Sequence, residues 1–277
     1  MQPPCPSSAA TPGCSGNCHL CRSAPAPLPL GWRHPQPGAV SMQPLNDEQL
    51  AALRAWPSPA ISNAIETFQV RARNYGAMTP DIRCHFPEME PVVGYAVTCK
   101  IRASVPPDQD PEVRVERGDW YDHIESIPTP RIVVIEDLDD PPIGSFWGEV
   151  NANIHRAFGC VGVVTSGGVR DMEEVRELGF QFLAKEVLVS HAYVHQVEVG
   201  GPVTVGGVTV NPGDLLHADL HGCISIPHDI AADVPGAAQM VEDRERIIID
   251  YAKSAEFTRE GLMERFRGGF TRPREEP

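Results

Sequence analysis

The sequence predicts an alternating α/β domain that begins at residue 45 and closes on helices. Three observations carry this expectation. Arg131-Ile132-Val133-Val134-Ile135-Glu136 has the β-branched content of a buried strand. A helical pattern opens at Glu149 and ends at Gly159, and Val161-Gly162-Val163-Val164-Thr165 then returns as a strand. A strand–helix–strand unit of that length has parallel strands. Beyond about Asp229 the spacing is mostly helical to Phe266, with a break expected at Pro235-Gly236.

The other elements follow in order. Asn46-Asp47-Glu48 caps a first helix carrying Leu50 and Leu53. Ser58-Pro59 supplies the cap and first-turn residues of a second, Ala60–Phe68. Pro91–Ile101 reads as a strand and Trp120–Ile127 as a short helix. In the helix from Glu149, the apolar positions Val150, Ile154, Ala157 and Phe158 predict one buried face. Ser166-Gly167-Gly168 is expected to turn the chain. A further helix carries Met172, Val175 and Leu178, with Gly179 at its end. Val203–Val205 and Val208–Val210 flank Gly206-Gly207 as a hairpin. Asn211–Asp214 is a turn and Cys223–Ile226 a strand, and no repeat of solenoid length is present.

Composition narrows the function. At 42% hydrophobic and 22% charged residues, the 277-residue chain has the make-up of a globular protein. No run approaches the ~18 consecutive apolar residues of a membrane span, so no membrane partner is expected. A net charge of −14 argues against nucleic acid as a partner, because phosphate neutralisation needs cations.

Residues 1–44 stand apart. They hold ten of the 28 prolines, four of the eight cysteines, two arginines and no acid, and they read as a disordered leader or a mis-assigned start. Met42-Gln43-Pro44 repeats Met1-Gln2-Pro3, which places the expected working start near Met42. The segment lacks the basic region and unbroken apolar stretch of a signal peptide. Cys14, Cys18 and Cys21 have an imperfect zinc-knuckle spacing with no second half. Cys84, Cys99, Cys160 and Cys223 are isolated in apolar surroundings, as free thiols of a reduced, cytoplasmic protein would be.

The chemistry concentrates between Phe146 and Glu174. If the strands of that unit are parallel, Gly148-Glu149 and Arg170-Asp171 meet at the edge beyond the strands' C-terminal ends, where open α/β sheets bind ligands. Unpaired N–H groups of Gly148, Glu149, Val150 and Asn151 would cradle a carboxylate. Arg170 adds a forked cation, and Asp171 a hard oxygen ligand for a divalent ion. Glu174 shares the helix face of Asp171 and can hold a metal-bound water. Arg-Asp at a helix start also has a bland reading, since Asp favours the positive helix end and Arg is simply solvated. His217 and His221, with Asp219 between them, have zinc spacing only on a helix, as do His191 and His195; the context of the first pair predicts loop or strand.

Glu149, twenty intervening residues, Arg170-Asp171, two more and Glu174 resemble the acid-X20-Arg-Asp-X2-acid signature of the RraA-like family, which includes 4-hydroxy-4-methyl-2-oxoglutarate aldolases. Gly148–Asn151, Gly159–Val164, Ser166–Asp171, Gly201–Val203, Val210–Asp214 and Ala218–Gly222 are similar too, and the resemblance spans about residues 45–250. It implies a single swivelling-type β/β/α domain over 45–277 with a C-terminal helical segment, assembled as trimers or hexamers with active sites at subunit interfaces.

By that resemblance Gly148, Glu149, Val150, Asn151 and Arg170 bind the pyruvate end of a small 2-oxo acid, with Arg170, Glu149 and Asp171 catalytic. Asp171 binds Mg²⁺ or Mn²⁺ directly, and Glu149 and Glu174 act through water. A neighbouring subunit supplies a further acid, which no motif here identifies. The implied activity is lyase cleavage of a 4-hydroxy-2-oxo acid to pyruvate, with oxaloacetate decarboxylation beside it. The alternative is a non-catalytic, protein-binding regulator of ribonuclease activity.

Overall fold

The computed structural model describes residues 43–116 and 118–269. Residues 1–42 of the expected 1–44 leader, with its four cysteines, lie outside the described residues. The chain opens with α1 (Asp47–Arg54), where the Asn46 side chain accepts from the Gln49 N–H at 2.9 Å and the Gln49 side chain accepts from the Asn46 N–H at 3.0 Å. This reciprocal box satisfies two donors that a helix start otherwise leaves bare.

In α2 (Ser58–Phe68) the expected cap does not form. Pro57 occupies the cap position and Ser58 is already helical. The Ser58 hydroxyl is instead hydrogen-bonded to His217 Nδ1 at 2.9 Å, and its N–H is taken by Asp219 Oδ2 at 2.7 Å. A carboxylate far along the chain thus caps this helix, and it suits the positive helix end better than a hydroxyl does.

The strands and helices continue as β1 (Arg83–Cys84), β2 (Val92–Arg102), α3 (Asp119–Ser126), β3 (Arg131–Asp137), β4 (Ser145–Trp147) and α4 (Glu149–Ala157). After them come β5 (Cys160–Val169), α5 (Met172–Leu178), β6 (Gln181–Val187), β7 (His195–Val199), β8 (Val203–Val205) and β9 (Val208–Val210). The chain then forms β10 (Leu215–Asp219), β11 (Gly222–Ile226), α6 (Val234–Lys253) and α7 (Arg259–Gly269).

The main sheet runs β1-β6-β5-β3-β2-β10-β11, with β6, β5, β3 and β2 mutually parallel. β1, β10 and β11 are antiparallel to their neighbours, β7 is antiparallel on β2, and β4 lies parallel beside β5. Ala77 bridges Ile224 on β11 a few residues before β1 begins at the other end, so the sheet is nearly closed.

The sheet has two covered faces. Leu53, Ile61, Trp120, Ile124, Ala152, Val175 and Val234 from α1 to α6 pack on Val133, Ile135, Val163 and Phe182. The opposite face, with Ile132, Val134, Val164 and Leu216, is covered by Val203, Val205, Val208 and Val210 of the β8–β9 hairpin. Gly206 and Gly207 turn that hairpin at φ 53° and 73°, a backbone region that favours glycine. The hairpin is tied down where Glu136 accepts from the Thr204 N–H at 2.9 Å. Hairpin, sheet and helices make the expected β/β/α order, with α6 and α7 as the C-terminal helical segment.

Three local expectations are corrected. On α4 the buried residues are Ala152 and His155, whereas Val150 is 72% exposed, Ala157 is exposed, and Ile154 and Phe158 are half-buried. His155 tolerates burial because both ring nitrogens are engaged, by Trp120 Nε1–H at 2.8 Å and the Asn151 carbonyl at 2.7 Å. Burial lowers its pKa to about 4, so it is neutral at pH 7.

Ser166-Gly167-Gly168 does not turn the chain; β5 runs through it to Val169. A Cβ on Gly168 would lie 2.4 Å from Leu188 and one on Gly167 2.7 Å from Asp137 Oδ2, so these glycines serve close approach. Pro235-Gly236 is no break either. It lies in the first turn of α6, where proline costs no hydrogen bond, and the interruption falls at Ser254–Thr258. β4, β6 and β7 lie where the sequence reading named no element.

Candidate active site

The β3–α4–β5 unit brings two of the predicted motifs together. Arg170 N–H donates to the Trp147 carbonyl at 2.9 Å, which clamps the end of β5 to the end of β4. Gly148 follows Trp147, and a Cβ there would lie 2.2 Å from Asp171 Oδ2. Only a glycine allows that approach. The same Oδ2 accepts from the Glu149 N–H at 2.9 Å and lies 3.7 Å from Arg170 Nε. Trp147 is fully buried, stacks on Phe180 and has the His155 ring 4.5 Å from its own, so the clamp rests on packed aromatics.

The arrangement departs from the expected cradle in one respect. The α4 ladder begins with Ala152 N–H to the Gly148 carbonyl at 3.0 Å, which leaves the first-turn N–H groups outside it. Glu149 N–H is already taken by Asp171, so Gly148, Val150 and Asn151 are the donors left for an anion. The Asn151 side chain is tied back to the Phe146 carbonyl, which fixes the start of the helix.

Asp171 itself holds a left-handed backbone at φ 54°. That conformation is uncommon outside glycine, asparagine and aspartate, and it aims the carboxylate back across the edge. Side-chain exposures of 37% for Arg170 and 36% for Asp171 leave both reachable from solvent. Glu149 and Glu174 are exposed at the starts of α4 and α5.

The donor set fits a hard divalent cation: Asp171 offers a carboxylate with one oxygen uncommitted, and two further carboxylates lie on the adjoining helix starts. Among the described residues no three His, Cys, Asp or Glu side chains gather tightly enough to coordinate an ion directly. One direct ligand with water making up the remainder is consistent with that spacing.

The histidine alternatives do not form zinc sites. His217 lies in β10 with Nδ1 on Ser58 and Nε2 on the Trp56 carbonyl at 2.9 Å, leaving no nitrogen for a metal. His195 is likewise engaged at both nitrogens, by the Tyr193 carbonyl and Asp110. Cys84, Cys99, Cys160 and Cys223 are free thiols, and burial pushes Cys160 up to about 12. No helix among the described residues is long and apolar enough to cross a membrane. A cavity of about 320 Å³ between α3 and β7 is lined by Arg114, Asp122, His123, Glu198 and neighbours, and none of the predicted residues lines it.

Fold and edge together define a swivelling-type α/β protein with an acid–Arg-Asp cluster at the C-terminal edge of its parallel strands. The RraA-like family, described as Aldolase/RraA, matches residues 58–225, and the chain belongs to it. DlpA of Legionella pneumophila is 26% identical over 143 residues, covering 50% of this chain and 23% of DlpA. A 4-hydroxy-4-methyl-2-oxoglutarate aldolase of Thermus thermophilus is 41% identical over 70 residues, 25% of this chain and 43% of that enzyme. The chain thus matches less than half the length of either relative. The crystal structure of Streptomyces coelicolor RraAS2, described as an unusual member of the RNase ES inhibitor RraA family, superposes with a TM-score of 0.56 at 21% identity. It covers 73% of this chain and 96% of its own, and shares the fold.

Proposed function

We propose that the protein is a divalent-metal-dependent lyase that cleaves a 4-hydroxy-2-oxo acid, such as 4-hydroxy-4-methyl-2-oxoglutarate, to pyruvate and a second carbonyl compound. The observation that carries the reading is the 2.9 Å hydrogen bond from Glu149 N–H to Asp171 Oδ2, with Arg170 beside it, at the C-terminal edge of the parallel strands, where open α/β sheets commonly bind ligands. Gly148, Val150 and Asn151 N–H groups orient the substrate carboxylate. Arg170 sits where negative charge develops on the 2-oxo oxygen as the C3–C4 bond breaks and its electron pair moves into an enolate. The 4-hydroxyl gives up its proton as C4 becomes a carbonyl, Glu149 and Glu174 are the carboxylates at that edge available to relay it through water, and a proton returned to C3 of the enolate gives pyruvate. Mg²⁺ or Mn²⁺, held by Asp171 directly and by Glu149 and Glu174 through water, would supply Lewis-acid polarisation of the 2-oxo group. Loss of CO₂ from oxaloacetate forms the same enolate, so decarboxylation belongs to the same site.

The expected result is pyruvate release from 4-hydroxy-4-methyl-2-oxoglutarate, oxaloacetate or both with Mg²⁺, abolished by a chelator and restored by added metal. No metal-dependent pyruvate from either substrate would leave the second reading, a protein-binding regulator of ribonuclease activity.

We further propose a homotrimer or hexamer in the reducing cytoplasm, with active sites completed at subunit interfaces. Ile143, Val150, Val187, Val189 and Tyr193 are exposed on segments that meet at the candidate edge, Val189 at 96%. Such a collar is what a neighbouring subunit would cover, and it accounts for a site that is open in one chain. Val189→Glu is expected to shift the mass measured by light scattering toward monomer and to reduce activity with it. An unchanged mass would overturn the placement of the interface.

A further inference from the structure

Asp137 ends β3 and is one of the few buried charged residues, 9% exposed. Its Oδ1 accepts from the Asp139 N–H at 3.0 Å, and its Oδ2 has no hydrogen-bond partner. That oxygen lies against Gly167, where a Cβ would approach to 2.7 Å. Beside it the pairing of β5 with β6 slips: Thr165 faces Ala184 but Gly168 faces Glu186, so β5 carries one extra residue. Bulges of this kind bend a strand and re-aim the side chains that follow, and they are frequent beside active sites. This one is secured from β3, because Asp137 N–H donates to Ser166 Oγ at 2.9 Å, and from within, because Gly167 N–H donates to Thr165 Oγ1 at 2.9 Å. Two residues further on stands Arg170.

We propose that Asp137 is a positioning residue for the anion site at Arg170, acting through the β5 bulge against which its carboxyl is wedged. The inference rests on the reading of Arg170 as the substrate-binding cation. A carboxylate ionised in that slot is a buried charge with one oxygen unpaired, so burial holds its proton to higher pH than usual and pushes the group up to about 6. Two other charged groups act on it. The Asp139 N–H bond to Oδ1 lowers it, the Asp139 carboxylate, whose Oδ2 accepts from Ala103 and Ser104 N–H, raises it, and Lys185 on β6, paired with Asp140 at 2.9 Å, lowers it again. The sign follows. The neutral carboxyl fits the slot; ionisation as pH rises through the folded value places charge against Gly167 and loosens the bulge. Presentation of Arg170 therefore weakens in the upper part of the pH range.

The test uses the metal-free full chain and its amide spectra from about pH 5 to about pH 8. In the wild type, Gly167, Gly168 and Arg170 amides titrate together with a midpoint near that of Asp137. Asp137→Asn, neutral and nearly isosteric, removes this titration. In the loaded protein, KM for oxaloacetate rises about tenfold across the range in the wild type, stays flat in Asp137→Asn, and kcat moves less. Asp137→Ala, which leaves a void behind the bulge, raises KM at every pH. Bulge amides that titrate unchanged in Asp137→Asn, or a KM profile that follows the wild type, overturn the proposal. If Arg170→Ala leaves activity intact, the reading of the site falls by that result, while the metal-free titration still decides the coupling of Asp137 to the bulge.

Discussion

Arg170→Ala is expected to lower pyruvate release on the order of 10²–10³-fold, the loss that follows removal of one preorganised donor to a developing oxyanion. Arg170 is held only through its backbone to Trp147 and a 3.7 Å approach to Asp171, so its removal leaves the packed aromatic clamp in place. Unfolding transitions should therefore be unchanged while activity collapses. Arg170→Lys keeps the charge but loses the fork, and falls between the two.

Asp171 needs a different substitution, because its carboxylate also accepts from Glu149 N–H and its backbone is left-handed. Alanine would add strain at φ 54° to the loss of charge. Asparagine tolerates that backbone and keeps an oxygen for Glu149, so Asp171→Asn isolates the charge. Loss of metal-dependent activity in Asp171→Asn, with stability retained, is the expected pattern. Full activity in either Arg170→Ala or Asp171→Asn would refute the site assignment even if the protein is a lyase.

The edge was legible because it depends on local connectivity. A strand–helix–strand unit returns the chain to the side it left, but not by matched lengths: β5 has ten residues against nine in α4, and the 2.9 Å contact forms because β4 runs out beside the far end of β5. The buried face of α4 was not legible. His155 is buried by contacts with Trp120, distant in sequence, and a count of apolar residues assigns the face to Val150 instead. Gly167-Gly168 misled in the same way, since glycine favours turns but also permits close approach, and only Asp137 and Leu188 across the fold decide between them. Pro235 differs again, because its cost depends on whether the helix has already begun. The family signature was readable from spacing, whereas the residues that hold its geometry were not, because their partners come from other strands.

The cap on α2 shows the same dependence on distant partners and yields the largest expected loss of stability. Asp219 Oδ2 accepts from Ser58 N–H at 2.7 Å and Oδ1 accepts from His221 N–H at 2.8 Å, while the side chain is almost fully buried. Asp219→Ala removes a helix cap and strands a buried donor, for a combined loss of roughly 2–4 kcal/mol. Asp219→Asn retains one accepting oxygen and should lose less. Burial alone would raise the Asp219 carboxyl, but hydrogen bonds from Ser58 and His221 outweigh it and hold it below the usual carboxylate range. The contribution of the ionised group is therefore complete above the unfolded value of about 3.9 and fades as pH falls through the lower folded one. Urea unfolding at about pH 7 and about pH 3 separates charge from packing. The gap between wild type and Asp219→Asn should narrow at the lower pH, because protonation removes what the substitution removed. An equal gap at both would mean that shape, and not the anion at the helix start, secures α2 to β10.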